Sequence, residues 1–282
     1  MTDDQDITLD WMSAEDDGRR PTDLRPEIPH PARMYDYYLG GKDNFPADRA
    51  AAEEIIAISP RVRLSAQANR GFLQRAVKHL AEQGVRQFLD IGTGIPTAGN
   101  THEVAQRVDP AARVAYVDND PIVLVHSRAL LAGASKGSAS VVQADLRDPA
   151  GILDAPEVRD LLDLGQPVAL LLFAILHFVG EDSDPYGIVR KLVDALPSGS
   201  YLALSHGTAD FLSPEQAQRG PAVYCAATER LTLRSREQVA RFFDGLELLE
   251  PGIVTVPRWR PELPEREGDA VTGIWGAVGR KP

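Results

Sequence analysis

From Val85 onward the chain alternates short apolar runs with helical patterns, and this alternation constrains its fold more than any other feature. "VRQFLDI" reads as a buried strand and "THEVAQRV" as a helix, with Asn100 and Glu103 spaced as a capping box. "ARVAYVD" is a second strand, followed by "PIVLVHSRALLA", a helix with proline at its start. "SASVVQAD" is a third strand. "PVALLLFAIL" is a fourth, almost wholly apolar, as a parallel strand covered on both faces should be. "DPYGIVRKLVDAL" then reads as a helix, "SYLALSH" as a strand and "SREQVARFFDG" as a short capped helix. "LELLEPGIVTV" and "TGIWGAVGR" supply the last two strands. Strand and helix in this rhythm predict a doubly wound α/β sheet.

In such sheets ligands sit beyond the carboxyl ends of the strands, where the strand order reverses. The first strand here runs into "FLDIGTGIPTAGN". Gly92 and Gly94 allow a tight turn with no Cβ between backbone and ligand. A glycine turn alone is weak, since a tight turn needs no ligand. Three acids strengthen it: Asp90 inside the first strand end, Asp118 at the end of the second, and Asp145 at the end of the third. A carboxylate at the second position can accept both hydroxyls of a ribose. One at the third can accept from an exocyclic amine, with Leu146 against the base face. Asp120, before Pro121, reads instead as a helix cap.

The identity of an adenosine ligand turns on charge. A pyrophosphate turn favours a third glycine where this chain has Thr97, and Asp90 would repel a pyrophosphate. Asp90 suits a ligand with an ammonium group, which favours S-adenosylmethionine over NAD. A nicotinamide-dependent oxidoreductase remains the weaker alternative.

Upstream, residues 1–27 hold seven Asp or Glu in their first seventeen positions and read as a disordered acidic tail. Helical patterns fill residues 28–84, including "PADRAAAEEIIAIS" and a helix in which Leu64, Ala68, Phe72, Ala76 and Leu80 recur before Gly84 ends it. Between tail and helices lies "RMYDYYLGGKDNF". Tyr35, Tyr37 and Tyr38 offer apolar area with polar tips, Gly40 and Gly41 permit a bend, and Arg33, Lys42, Asp43 and Asn44 can hydrogen-bond. Two readings stand: a lid in which Arg33 or Lys42 meets a ligand carboxylate, or a staple fixing the N-terminal helices to the sheet.

The blocks "FLDIGTG", "AYVDNDP", "VVQADLRD", "ALLLFAILHFV" and "LPSGSYLALSH" resemble the class I S-adenosylmethionine-dependent methyltransferases over about residues 85–280. "PARMYDYYLGGKDNFPADRAAAEEI" with "DIGTGIPTAGNTHEVAQ" is similar to one subgroup, the actinobacterial S-adenosyl methyltransferase family of unassigned substrate. The resemblance implies a Rossmann-like, seven-stranded, mostly parallel sheet over residues 85–282, with 28–84 as an N-terminal helical extension. It implies that Asp90, Gly92 and Gly94, with Thr93, hold the methionine portion of S-adenosylmethionine. Asp118 and Asn119 would hold the ribose, and Asp145, Leu146 and Phe173 the adenine. Arg33, Tyr38, Gly40 and Lys42 would close over the cofactor. The "GIPTAGN" loop departs from the broad class by delaying the helix.

Methyl transfer from a sulfonium asks mainly for orientation and desolvation, with a base only for a weak nucleophile. His177, just past the fourth strand, is the candidate acceptor-side base; a histidine merely hydrogen-bonded at a strand end is the alternative. Residues 173–180, the loop "GTADFLSPEQAQRG" and the N-terminal segment should shape the acceptor site. A catalytically silent S-adenosylmethionine-binding regulator or partner subunit stays open beside the enzyme reading.

A net charge of −11 disfavours nucleic acid and favours a small-molecule acceptor. No apolar run is long enough to span a membrane, and the acidic N-terminus lacks a signal core. A single cysteine, Cys225, fits a reducing cytoplasm. No zinc-like spacing of histidine and cysteine occurs, so no metal is expected. The segment 257–270, with its three prolines, reads as an exposed loop.

Overall fold

In the computed structural model, which describes residues 25–131, 138–225, 230–262 and 272–282, parallel strands form the frame. The acidic segment up to residue 24, the end of the proline loop (263–271) and the side chain of Cys225 lie outside the described residues. The strands are β1 (Gln87–Ile91), β2 (Arg113–Asp118), β3 (Ala139–Gln143), β4 (Ala169–Phe173), β5 (Tyr201–Gly207), β6 (Glu247–Leu248), β7 (Val254–Thr255) and β8 (Ile274–Arg280). Their order across the sheet is β3-β2-β1-β4-β5-β8-β6, and β7 also pairs with β8. Strands β1 to β5 pair in parallel, while β8 runs antiparallel to β5, β6 and β7. The order therefore turns back between β1 and β4, which is where a ligand crevice opens in such folds.

The expected sixth strand is broken in two. Pro251 removes a ladder donor and Gly252, at φ 79°, turns the chain, so "LELLEPGIVTV" becomes β6, a turn and β7. Alternation along β4 shows how the sheet is covered: Leu170 and Leu172 belong to one core cluster, Ala169, Leu171 and Phe173 to the other.

Between the strands, α4 (Thr101–Val108), α5 (Pro121–Leu131), α8 (Pro185–Asp194) and α10 (Arg236–Ala240) follow the sequence patterns, whereas α6 (Pro149–Asp154), α7 (Pro156–Arg159) and α9 (Pro214–Cys225) are additions, α9 taking up the second half of the expected loop after β5. Three more precede the sheet: α1 (Pro31–Tyr38), α2 (Pro46–Ile58) and α3 (Val62–Glu82). The capping box expected before α4 is rearranged. Asn100 Oδ1 accepts from the Thr97 N–H, and Glu103 accepts from the Gly99 N–H, so both side chains serve the loop.

Helix α3 packs Phe72, Ala76, Val77 and Leu80 straight onto the sheet. Its buried face is Ala66, Asn69, Phe72, Leu73, Ala76, Val77 and Leu80, whereas Leu64 is exposed. A repeat of four drifts about 40° per step from the true 3.6 period, which carries its first member out to solvent. Phe72 also meets Trp259 edge-on at 5.4 Å. Trp259 is fully buried, while Arg258 and residues 260–262 beside it are exposed. No helix among the described residues is long and apolar enough to cross a membrane.

Candidate cofactor and acceptor site

The crevice at the β1–β4 switch holds a cavity of about 250 Å³. Gly92, at φ 75°, ends β1 with its α-carbon facing the loop after β4; a Cβ there would stand 2.6 Å from Ile175 Cγ1. Only glycine lets these two loops meet, so this turn needs the residue on steric grounds before any ligand is considered. The Gly92 and Thr93 N–H groups both point at the Val117 carbonyl, tying the turn to β2.

Asp90, Asp118 and Asp145 all line this one cavity, as do Gly92, Thr93, Gly94, Asn119, Leu146, Phe173, Tyr38 and His177. Asp118 accepts from the Gly94 N–H and the Asp120 N–H, both at 2.9 Å, which fixes its carboxylate across the glycine turn. Burial pushes its pKa above the usual range. Asp90 accepts from Thr101 Oγ1 at 2.6 Å, and burial pushes its carboxyl up to about 6. Asp145, less buried, is held by the Arg147 side chain at 3.0 Å.

Three expected residues stand elsewhere. Arg33, Gly40 and Lys42 do not line the cavity. Arg33 is buried among acids, its Nε 3.5 Å from Asp48 and 3.6 Å from Asp120, while a second nitrogen donates to the Ile28 carbonyl. His30 joins the cluster 3.0 Å from Asp120. These contacts lock α1 and α2 onto the loop after β2, a fastening role for Arg33. Gly40, at φ 81°, ends α1: its N–H donates to the Tyr37 carbonyl and that of Gly41 to the Asp36 carbonyl, a Schellman close. Lys42 is exposed. Asp36 then gathers the rest of the loop, accepting from the Asp43 N–H and from Asn44 Nδ2.

The tyrosines divide between the two sequence readings. Tyr35 donates to the Ala66 carbonyl on α3 and Tyr37 bonds Glu53 on α2, both as staples. Tyr38 reaches Tyr224 on α9, oxygen to oxygen at 3.1 Å, and both rings line the cavity. Helix α1 is thus a fastened roof rather than a charged clamp.

Sequence reasoning missed Arg70 and Asn69. Both lie on the face of α3 turned to the cavity, and Arg70 is close enough to Asp90 to favour its charged form. Arg70 also donates to the Gly99 carbonyl. Only the packing of α3 over the glycine turn brings it there, and in sequence it reads as a solvated helix charge. Asn69 Oδ1 and Thr93 Oγ1 are buried without a hydrogen-bond partner among the described residues. Such atoms are costly unless something meets them.

His177 is buried, and its Nδ1 accepts from the Gly207 N–H at 3.2 Å. The ring is therefore the neutral tautomer with its proton on Nε2. Burial, reinforced by the Arg234 charge, pulls its pKa down to about 3. Arg234, almost fully buried, donates to the Leu176 and Val179 carbonyls, to Glu181 and to His206, pinning the loop that carries His177. A ring whose acceptor nitrogen is taken and whose other nitrogen holds a proton is a hydrogen-bond donor, which corrects the expectation of a base. Among the described residues no cluster of His, Cys, Asp or Glu is arranged to hold a metal.

A family model described as S-adenosyl methyltransferase matches residues 17–282. A crystal structure of a DUF574 family protein from Streptomyces avermitilis superposes with a TM-score of 0.87 at 50% identity, covering 92% of this chain and 100% of that one. A candidate methyltransferase from Thermobifida fusca gives 0.84 at 42% identity, covering 92% and 97%. An O-methyltransferase family protein from Burkholderia thailandensis, at 15% identity and a TM-score of 0.53 over 92% of this chain and 65% of that one, shares the fold. No curated protein matches the chain.

Proposed function

The chain belongs to the S-adenosyl methyltransferase family, and from that premise we propose that it transfers a methyl group from S-adenosylmethionine to a small-molecule acceptor held in the same cavity. The observation behind this reading is the convergence of Asp90, Arg70, Asp118 and Asp145 on one crevice beside the glycine turn.

The residues fit the cofactor. Arg70 and Asp90 set opposite charges side by side, complementary to the carboxylate and ammonium of an amino-acid head. Asn69 Oδ1 and Thr93 Oγ1 supply polar atoms that lack partners within the protein. Asp118, braced by two backbone N–H groups, keeps lone pairs for ribose hydroxyls. Asp145, Leu146 and Phe173 would flank the adenine. When bound, S-adenosylmethionine supplies a methyl group on a positively charged sulfur, already activated for displacement.

The protein's part is then to orient and to exclude water. Helix α1, stapled to α2 and α3, roofs the cavity, and Tyr38 with Tyr224 joins that roof to α9. The loop after β4, pinned by Arg234, forms the facing wall. The net charge of −11 supports a small molecule rather than a polyanion as acceptor.

Calorimetric titration of the full chain with S-adenosylhomocysteine, and separately with NAD, tests the cofactor assignment. Saturable binding of the former and none of the latter is expected. The reverse would overturn it.

A further inference from the structure

The cavity is divided by charge. The acidic, basic and imidazole side chains of its lining other than His177 are those of His30, Arg70, Asp90, Asp118, Asp145 and Arg147. All of them sit around the glycine turn and the ends of β2 and β3, the half assigned above to the cofactor. The remaining lining comes from α1, α2, the start of α3, α9 and the segment before α10, the loops after β4 and β5, and the start of β8. Among the described residues it carries no charged side chain, and Ile55, Ile58, Val62, Phe178, Leu212 and Leu231 give it an apolar surface.

Two polar groups in that half lack a partner among the described residues, Thr272 Oγ1 and one nitrogen of His177. His177 is 9% exposed, and its Nδ1 is taken by the Gly207 N–H. That bond leaves the proton on Nε2. No described residue bonds Nε2, and His177 lines the cavity. This N–H opens onto the cavity, where it is free to donate to an acceptor atom of a ligand. Arg234 holds the loop by the carbonyls on either side, at Leu176 and Val179, so the ring cannot easily swing away.

We propose that the methyl acceptor is an uncharged, largely apolar small molecule with a carbonyl or hydroxyl oxygen that receives the His177 Nε2–H, which makes His177 a specificity-determining donor. This rests on the cofactor reading above and deepens it. The apolar walls select against ionised acceptors, because a charge moved there would lose its hydration without a counter-ion. The histidine selects for the oxygen and fixes the molecule's orientation. With burial and the Arg234 charge both opposing protonation, His177 stays a neutral donor throughout the physiological range.

The test uses three bicyclic probes of matched size on the full chain saturated with S-adenosylhomocysteine: tetralin, 1-tetralone and 5,6,7,8-tetrahydro-2-naphthoate. Calorimetry should show 1-tetralone binding about fivefold tighter than tetralin, the difference being one hydrogen bond. It should bind at least about tenfold tighter than the carboxylate. In His177→Phe the preference for the ketone over tetralin should vanish while tetralin still binds, which shows that the pocket has survived. His177→Gln, which keeps an N–H donor, should retain part of the preference. Equal binding of the carboxylate, a ketone preference that survives in His177→Phe, or no binding of any probe overturns the inference. Saturation with S-adenosylhomocysteine is measured first; if it fails, the cofactor reading falls instead.

Discussion

The phenol oxygens of Tyr38 and Tyr224 meet at 3.1 Å although 186 residues separate them in sequence. This contact closes α1 onto α9 and makes part of the cavity wall a joint between two helices far apart in sequence. Each ring is buried, and burial raises both phenol pKa values, that of Tyr224 to about 12. Tyr38→Phe should cost about 1 kcal/mol of stability, since it leaves one hydroxyl unmet. It should also speed S-adenosylhomocysteine release. Stopped-flow dissociation beside a denaturant titration checks both, and an unchanged release rate would mean the joint does not gate the cofactor.

Arg33→Ala should destabilise the fold by roughly 3 kcal/mol, because it takes the guanidinium charge from buried Asp48 and leaves buried Asp120 with His30 alone. Cofactor affinity of the protein that remains folded should change little. A large affinity loss with unchanged stability would restore the clamp that the sequence suggested.

Arg70→Ala should weaken S-adenosylmethionine binding by about tenfold to a hundredfold, the range for losing one charge-assisted hydrogen bond to a ligand carboxylate. Stability should fall by less than affinity, because among the described residues Arg70 makes one long hydrogen bond, to the Gly99 carbonyl at 3.3 Å, beside its charge contact with Asp90. Equal affinity in variant and parent would remove Arg70 from the site.

The raised pKa of Asp90 gives a pH dependence of definite sign. Its folded value of about 6 lies above the ordinary 3.8, so the native state holds this proton more tightly than the unfolded chain. Its contribution to the ligand-free protein is fully present below the ordinary value and is lost as pH rises through about 6. The loss amounts to about 2–3 kcal/mol. Ligand binding runs the other way: an ammonium needs the carboxylate, so affinity should fall below about pH 6. Asp90→Asn should flatten both profiles, stabilise the empty protein at neutral pH and impair binding. Calorimetric titrations and unfolding curves between about pH 3.5 and pH 8, spanning the ordinary and the folded value, provide the check.

Much of this was legible in the chain itself. Parallel strands announce themselves as apolar runs, and an acid at the tip of such a run is conspicuous, which is why Asp90, Asp118 and Asp145 could be named and do share one cavity. Gly92 was legible as a turn, though its steric partner Ile175 comes from the loop after β4, far along the chain. What stayed hidden depends on distant partners. Arg33 among tyrosines and glycines looks like ligand-binding equipment until Asp48 and Asp120 arrive from other elements. Arg70 looks like surface charge until α3 is laid over the turn. The tautomer of His177 is set by a backbone N–H thirty residues away, beyond the reach of any local pattern.

A crystal structure of the S-adenosylhomocysteine complex tests the central claim most directly. The account predicts ribose hydroxyls within hydrogen-bonding distance of Asp118, the amino-acid head between Arg70 and Asp90, and the sulfur facing the half-cavity that contains His177. A nucleoside bound away from Asp118, or a head group that leaves Arg70 and Asp90 untouched, would contradict it.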